Sequence, residues 1–220
     1  MGFQRARSPE QREERRRSIL DTAAAMLREM PVAELSLNEL SRRVGLAKSN
    51  VLRYFDSREA VLLELLTAEW AAWRVDAGAA LAAGPRGAVE ERCEQVAAVL
   101  AESLHARPVL CDLAGAQASV LERNVSAEVA ARFKRTVVVE VMEFAGLVRG
   151  CIPELSEQSA FEFAGAATIS AGALWGHCRP SAAMLEAYAA DPELAAMRLD
   201  FVTTLQGLLA VLLRGFLVRG

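Results

Sequence analysis

Lys48, Ser49, Asn50, Arg53 and Tyr54 lie within one seven-residue stretch. All five side chains offer hydrogen-bond donors, and two carry positive charge. An arginine forks onto the N7 and O6 edge of guanine, and an asparagine pairs bidentately with adenine. Serine and lysine reach phosphates or bases. This is the chemistry of contact with a polyanion whose bases are to be told apart. Covalent catalysis has no comparable constellation. The sequence holds no GxGxxG, phosphate-binding loop, GxSxG, HExxH or metal-spaced His/Cys/Asp cluster. Cys93, Cys111, Cys151 and Cys178 are scattered, with no CxxC pair, so a zinc or dithiol site lacks its spacing. The expectation is no enzyme, no catalytic residue, no metal and no cofactor.

The elements that must position those five residues are helical. Ser36-Leu37-Asn38-Glu39 reads as a capping box that opens a helix over 37–44, closed by Gly45. A second helix is predicted over 48–55, after the turn Gly45-Leu46-Ala47. Leu40, Val44, Leu46, Val51 and Leu52 would form the small core that locks the pair, with Phe55 also turned inward. The result is a helix-turn-helix whose second helix presents its polar N-terminal residues outward. Tyr54 and the start of the next helix, Ser57-Arg58, suit backbone phosphates.

Charge along the chain agrees. The 220 residues carry 25 Lys+Arg and 28 Asp+Glu, a net of −3. Residues 1–60 hold 12 basic and 9 acidic residues, whereas residues 61–220 hold 13 and 19. Arg5, Arg7, Arg12, Arg15, Arg16 and Arg17 crowd the beginning. A basic end on an acidic body suits a protein that meets a polyanion with one end only. A hydrophobic content of 53% excludes a disordered chain. The polar, basic start excludes a secretory signal, and the apolar run 163–177 is short for a membrane span. A cytoplasmic protein in a reducing compartment, away from membranes, is the expectation. Asn124-Val125-Ser126 then matches a glycosylation acceptor by chance.

Helical signals continue throughout, so the chain is expected to be all-α. Ser8-Pro9 opens a first helix carrying Ile19, Leu20, Ala23, Met26, Leu27 and Met30, stopped by Pro31. Ser57 caps a long helix over about 58–82. Beyond the linker Gly84-Pro85-Arg86-Gly87, helices are predicted at about 88–106, 108–121, 126–149, 157–177 and 192–218.

Residues 15–65 closely resemble the DNA-binding domain of TetR-family transcriptional regulators. The resemblance rests on Ile19-Leu20-x-x-Ala23, Leu40-Ser41-x-x-Val44-Gly45-Leu46 and Arg53-Tyr54-Phe55-x-Ser57-Arg58-Glu59. It departs from the family at Leu52, where Tyr is common, at Ala47, often Ser or Thr, and at Arg58, usually Lys. The resemblance implies a three-helix DNA-binding head, residues 1–57, and a larger helical ligand-binding and dimerising body, residues 58–220. The DNA contacts it and the residue chemistry suggest are Asn38, Ala47, Lys48, Ser49, Asn50, Arg53, Tyr54 and Arg58. It further implies a homodimer on a palindromic double-stranded operator, acting as a repressor that a small-molecule effector releases by tilting helix 58–82.

In the body, candidate pocket walls are Leu100, Leu104, Phe133, Val137, Val141, Phe144, Phe163 and Trp175, all of which ordinary core packing also explains. For the interface, helix 157–177 carries Ala164-Gly165-Ala166-Ala167 and Ser170-Ala171-Gly172-Ala173, where a second backbone could approach closely. Helix 192–218 is apolar on nearly every side, more than one domain of this size can cover. The resemblance places a dimer bundle at these two helices. The alternative is an all-α dimeric ligand-binding or interaction protein without specific DNA binding.

Overall fold

The computed structural model describes residues 9–219, and among them every regular element is helical. Ser8, Arg5 and Arg7 fall outside the described residues. α1 (Pro9–Leu27) buries Ile19, Ala23, Met26 and Leu27. A 3-10 turn (Val32–Glu34) leads to α2 (Leu37–Val44), α3 (Lys48–Val51) and the long α4 (Arg58–Leu81). The body continues with α5 (Val89–His105), α6 (Pro108–Ala116), a π-helical turn (Gln117–Leu121), α7 (Ala127–Cys151), α8 (Glu157–His177), α9 (Ala182–Ala190), α10 (Pro192–Ala195) and α11 (Phe201–Arg219).

Serine side chains start the helices as their sequence positions suggest. Ser36, Ser57, Ser126 and Ser156 accept hydrogen bonds from the backbone N–H three residues on. The capping box at Ser36 is only half made. Glu39 does not return to the Ser36 backbone, because Arg42 and Arg43 take its carboxylate at 2.6 and 3.0 Å. Those two guanidinium groups hold the Glu39 carboxyl down to about 2.

Three expectations need correction. The helix expected over 48–55 is α-helical only to Val51, and the bonds Arg53 N–H to Asn50 C=O and Tyr54 N–H to Val51 C=O tighten it into a turn. Leu52 consequently points outward, 41% exposed, while Val51 and Phe55 fill the core. The helix expected over 192–218 is two helices. Asp191 caps α10 through Glu193 N–H, and Asp200 accepts from Thr203 N–H at 2.9 Å, restarting the chain as α11. α9, capped by Ser181, occupies a stretch read from sequence as a connection. Thirdly, four of the eight small residues expected at an α8 interface serve the chain itself, while Gly165, Ala166, Ser170 and Ala173 are not buried. Ala164, Ala167, Ala171 and Gly172 are buried. A Cβ on Gly172 would lie 2.8 Å from the Ala114 carbonyl carbon, and one on Gly115 2.8 Å from the Gly172 oxygen. α6 and α8 therefore cross backbone to backbone.

α11 is long and apolar enough to cross a membrane. Phe201, Leu205, Leu209 and Leu213 nonetheless face the core, where α11 packs on α5 and α8. α9 and α10 bury no residue.

Cys93 and Cys111 are buried and Cys151 and Cys178 half-buried. Burial pushes the Cys111 thiol up to about 12 and raises the other three as well. Near neutral pH the Cys111 group is protonated, and the thiolate that reacts is scarce. Ellman's reagent should titrate only Cys151 and Cys178 in the native protein, and all four thiols in urea.

Candidate DNA-facing head and body cavity

Gly45, at φ 73° and ψ 30°, turns the chain between α2 and α3 in the left-handed region that glycine adopts without strain. Ala47, Lys48, Ser49, Asn50 and Arg53 are all exposed on one side of this turn, and Tyr54 is half-buried behind them. Asn38 is exposed in the first turn of α2. Among the described residues, neither Lys48 nor Arg53 is committed to a carboxylate, whereas Arg42 and Arg43 are held by Glu39 and Glu29. The exposed edge of α3 thus offers unpaired positive charge, whereas the arginines of α2 are paired and Asn38 is its exposed donor.

Two arginines that sequence placed on the polyanion side work inside the protein instead. Arg16 forks onto Glu64 of α4, donates to the Tyr54 carbonyl at 2.7 Å and lies 4.3 Å over the Phe55 ring. It ties α1, the turn after α3 and α4 together. Arg58 donates to the Val32 carbonyl and pairs with Glu59, so its charge is taken up within the protein at the junction of head and α4.

The body holds a cavity of about 380 Å³ between α4, α6, the π-helical turn, α7 and α8. Trp70, Trp73, Val137, Val141, Phe144 and Ile169 supply its apolar surface. Trp73 meets Phe144 edge to face at 4.9 Å, and its indole N–H is satisfied by Ser103 Oγ at 3.0 Å. The charges at its wall are already paired: Arg74 with Glu140 at 2.9 Å, and Lys134 with Glu122 at 2.7 Å. Of the eight apolar residues chosen from sequence, Val137, Val141 and Phe144 line this cavity. Leu100, Leu104, Phe133 and Phe163 are packed in the core, and Trp175 stands at another recess, beside α11. The α4 wall was not foreseen, although Thr67, Trp70, Trp73 and Arg74 recur at helical spacing and mix aromatic with polar groups on one face.

Besides the Arg16–Glu64 and Arg58–Val32 contacts of α4, two hydrogen bonds among the described residues join the α6 and α7 walls to the head. Asp112 of α6 accepts from the Val32 N–H at 2.7 Å, and Ser126, the cap of α7, donates to Asp56 at 3.3 Å. Among the described residues no cluster of His, Cys, Asp and Glu could hold a metal ion.

Two family descriptions match the chain. Residues 19–65 match that of bacterial regulatory proteins of the tetR family, and residues 67–220 that of the tetracyclin repressor-like C-terminal domain. The chain belongs to the TetR family. It is a transcriptional regulator with a helix-turn-helix DNA-binding domain and an all-helical body. It is 39% identical over 54 residues to the HTH-type transcriptional regulators EthR of Mycobacterium tuberculosis and Mycobacterium bovis. That match covers 24% of this chain and 25% of EthR, so it spans about a quarter of those relatives. In overall fold the TetR-family chain is similar to the fatty acid degradation regulator FadR from Bacillus halodurans, with TM-score 0.52 and 14% identity over 90% of this chain and 96% of that one. It is similarly related to FadR from Bacillus subtilis in complex with stearoyl-CoA, at TM-score 0.55 and 13% identity over 90% and 98%. At that identity the likeness concerns the fold alone.

Proposed function

We propose that this TetR-family protein is a cytoplasmic, ligand-responsive repressor that binds a palindromic operator as a homodimer and is released by a small-molecule effector. Residues 1–57 form the head and 58–220 the body, with Asn38, Ala47, Lys48, Ser49, Asn50, Arg53 and Tyr54 facing the DNA. Arg58, held by Val32 and Glu59, acts from behind the interface rather than on it. The observation that carries the reading is the pair of bonds from the cavity walls to the head, Asp112 to Val32 and Ser126 to Asp56. A ligand that spreads α6 or α7 pulls directly on the segment before α2 and on the link between α3 and α4. Binding of ligand and of DNA then oppose each other through a shared structural equilibrium, with a coupling of typically ~1–3 kcal/mol.

Selection of binders from a random duplex library, followed by salt titration of the winners, tests this. An enriched palindrome whose affinity falls steeply with salt supports it. No enrichment sinks it and leaves a helical ligand-binding protein without specific DNA contact.

The cavity points to the class of effector. Arg74 and Lys134 are neutralised by carboxylates of the chain, so a charged headgroup would have to break an existing pair. The effector is therefore neutral and largely apolar. Stearoyl-CoA is the ligand of the B. subtilis FadR complex. Here a fatty acyl-CoA binding more tightly than the methyl ester of the same acyl chain would refute the neutral class.

For the dimer, Ile169 on α8 is 74% exposed, and Val211 and Val218 on α11 are 62% and 89% exposed. Exposed apolar residues on two helices that pack together suit a self-complementary interface. Val211→Asp should convert the dimer to monomer at micromolar concentration, read by analytical ultracentrifugation, with unchanged helix content.

A further inference from the structure

The end of α8 and the first turn of α11 enclose an open recess of about 510 Å³ that takes no part in the cavity above. Its walls include His105, Trp175, Arg179, Arg198, Asp200 and Phe201. Three rings form its floor. Trp175 and Phe201 meet edge to face at 5.0 Å, and the His105 ring lies 6.3 Å from Trp175 and 5.8 Å from Phe201. The Arg179 guanidinium stands 5.4 Å from the Trp175 ring. Neither Arg179 nor Arg198 has an ion-pair partner among the described residues. The Trp175 indole N–H is buried without an acceptor. The one carboxylate in the wall, Asp200, is occupied as the cap of α11, accepting from Thr203 N–H at 2.9 Å.

Two unpaired guanidinium groups therefore stand beside aromatic rings, Trp175 and Phe201 being set at 89° to each other and mostly buried, in a body whose net charge is negative. A guanidinium fork matches a planar anion, and an aromatic floor takes the attached apolar portion. Asp200 sets the charge of that anion. Its own negative charge opposes a dianion such as a phosphate monoester more than a monoanion.

We propose that this recess is a second ligand site, selective for a small aromatic or apolar monocarboxylate held by Arg179 and Arg198 over Trp175 and Phe201. The site is independent of the effector cavity. Occupancy ties the end of α8 to the start of α11 and to the end of α5, which raises the thermal stability of the body.

Calorimetric titration of the full chain with benzoate, benzyl alcohol and phenyl phosphate tests the assignment, with thermal melts alongside. Benzoate should bind once per chain and raise the Tm, and phenyl phosphate should bind at least several-fold more weakly. Arg179→Ala/Arg198→Ala should lower benzoate affinity at least tenfold. Val141→Trp, which fills the effector cavity, should leave benzoate binding intact. Any binding of benzyl alcohol should survive the arginine changes and disappear in Val141→Trp. If the double variant fails to fold by circular dichroism, Arg198→Gln replaces it, with a severalfold loss expected. The proposal is overturned by absence of benzoate binding at 10 mM, by tighter binding of phenyl phosphate, by loss in Val141→Trp, or by undiminished affinity in the arginine variants. The operator-binding reading stands or falls separately, in the library selection.

Discussion

Gly172→Ala should lower stability by about 2–4 kcal/mol, and Gly172→Val should leave little folded protein. In most helix interiors the same glycine-to-alanine change stabilises by about 0.5–1 kcal/mol, because alanine has the better helix propensity. Gly172 reverses the sign because of what its Cβ would meet. Ala114 carbonyl carbon at 2.8 Å, Gly115 nitrogen at 2.9 Å and Ala114 oxygen at 3.0 Å are backbone atoms, and no rotamer change moves them aside. Relief requires α6 to shift away from α8, and α6 is fixed by buried Leu110, Cys111 and Leu113. Gly146 on α7 is the internal control, since a Cβ there meets nothing within 4 Å. Gly146→Ala should raise the Tm slightly while Gly172→Ala lowers it. Equal effects in urea denaturation would refute the close crossing of α6 and α8.

On the operator, Arg53→Ala and Asn50→Ala should each weaken specific binding by about 1–3 kcal/mol, and more when combined. Both side chains are exposed on the outer side of the recognition segment, and neither supports the fold. The loss should therefore appear in the ratio of specific to non-specific affinity, with the melting curve unchanged. Lys48→Ala should differ: it weakens binding to all sequences alike and reduces the salt slope by about one. Arg16→Ala is the contrast. It removes the clamp that holds the Tyr54 carbonyl and Phe55 against α4, so DNA affinity and stability should fall together. Competition measurements with cognate and scrambled duplexes separate the cases. Retained specificity in both Arg53→Ala and Asn50→Ala would refute the recognition surface.

Much of the head was legible because its information is local. A serine before an apolar period, a glycine after it and alternating polar and apolar positions determine caps, turn and core with little help from elsewhere. What failed there depended on partners distant in sequence. Arg58 is turned inward by the Val32 carbonyl, and Arg16 is captured by Glu64, 48 residues away. Leu52 faces outward because α3 tightens after Val51, a half-turn that periodicity cannot resolve. In the body most helices were readable, but not α9, nor the break between α10 and α11, and the cavity was not readable. Apolar residues that line a space and those that fill it share one composition, which is why Phe144 and Phe163 looked equivalent. The buried small residues of α8, Gly172 above all, were ambiguous for a related reason: sequence shows that a backbone approaches, not whose.

Val32 has its N–H held by Asp112 of the body and its carbonyl held by Arg58 of α4. With the Ser126–Asp56 bond and the Arg16–Glu64 pair, a few polar contacts among the described residues fasten head to cavity walls, a typical hydrogen bond having a net value of about 0.5–1.5 kcal/mol. Breaking two of them would leave the released arrangement populated at roughly 1–10% in the absence of any ligand. On the proposed repressor reading, a controlled promoter never falls silent: its basal output is set by this fraction and not by operator affinity alone. Tightening Ser126–Asp56 would lower that floor and, by the same amount, raise the ligand concentration needed for induction.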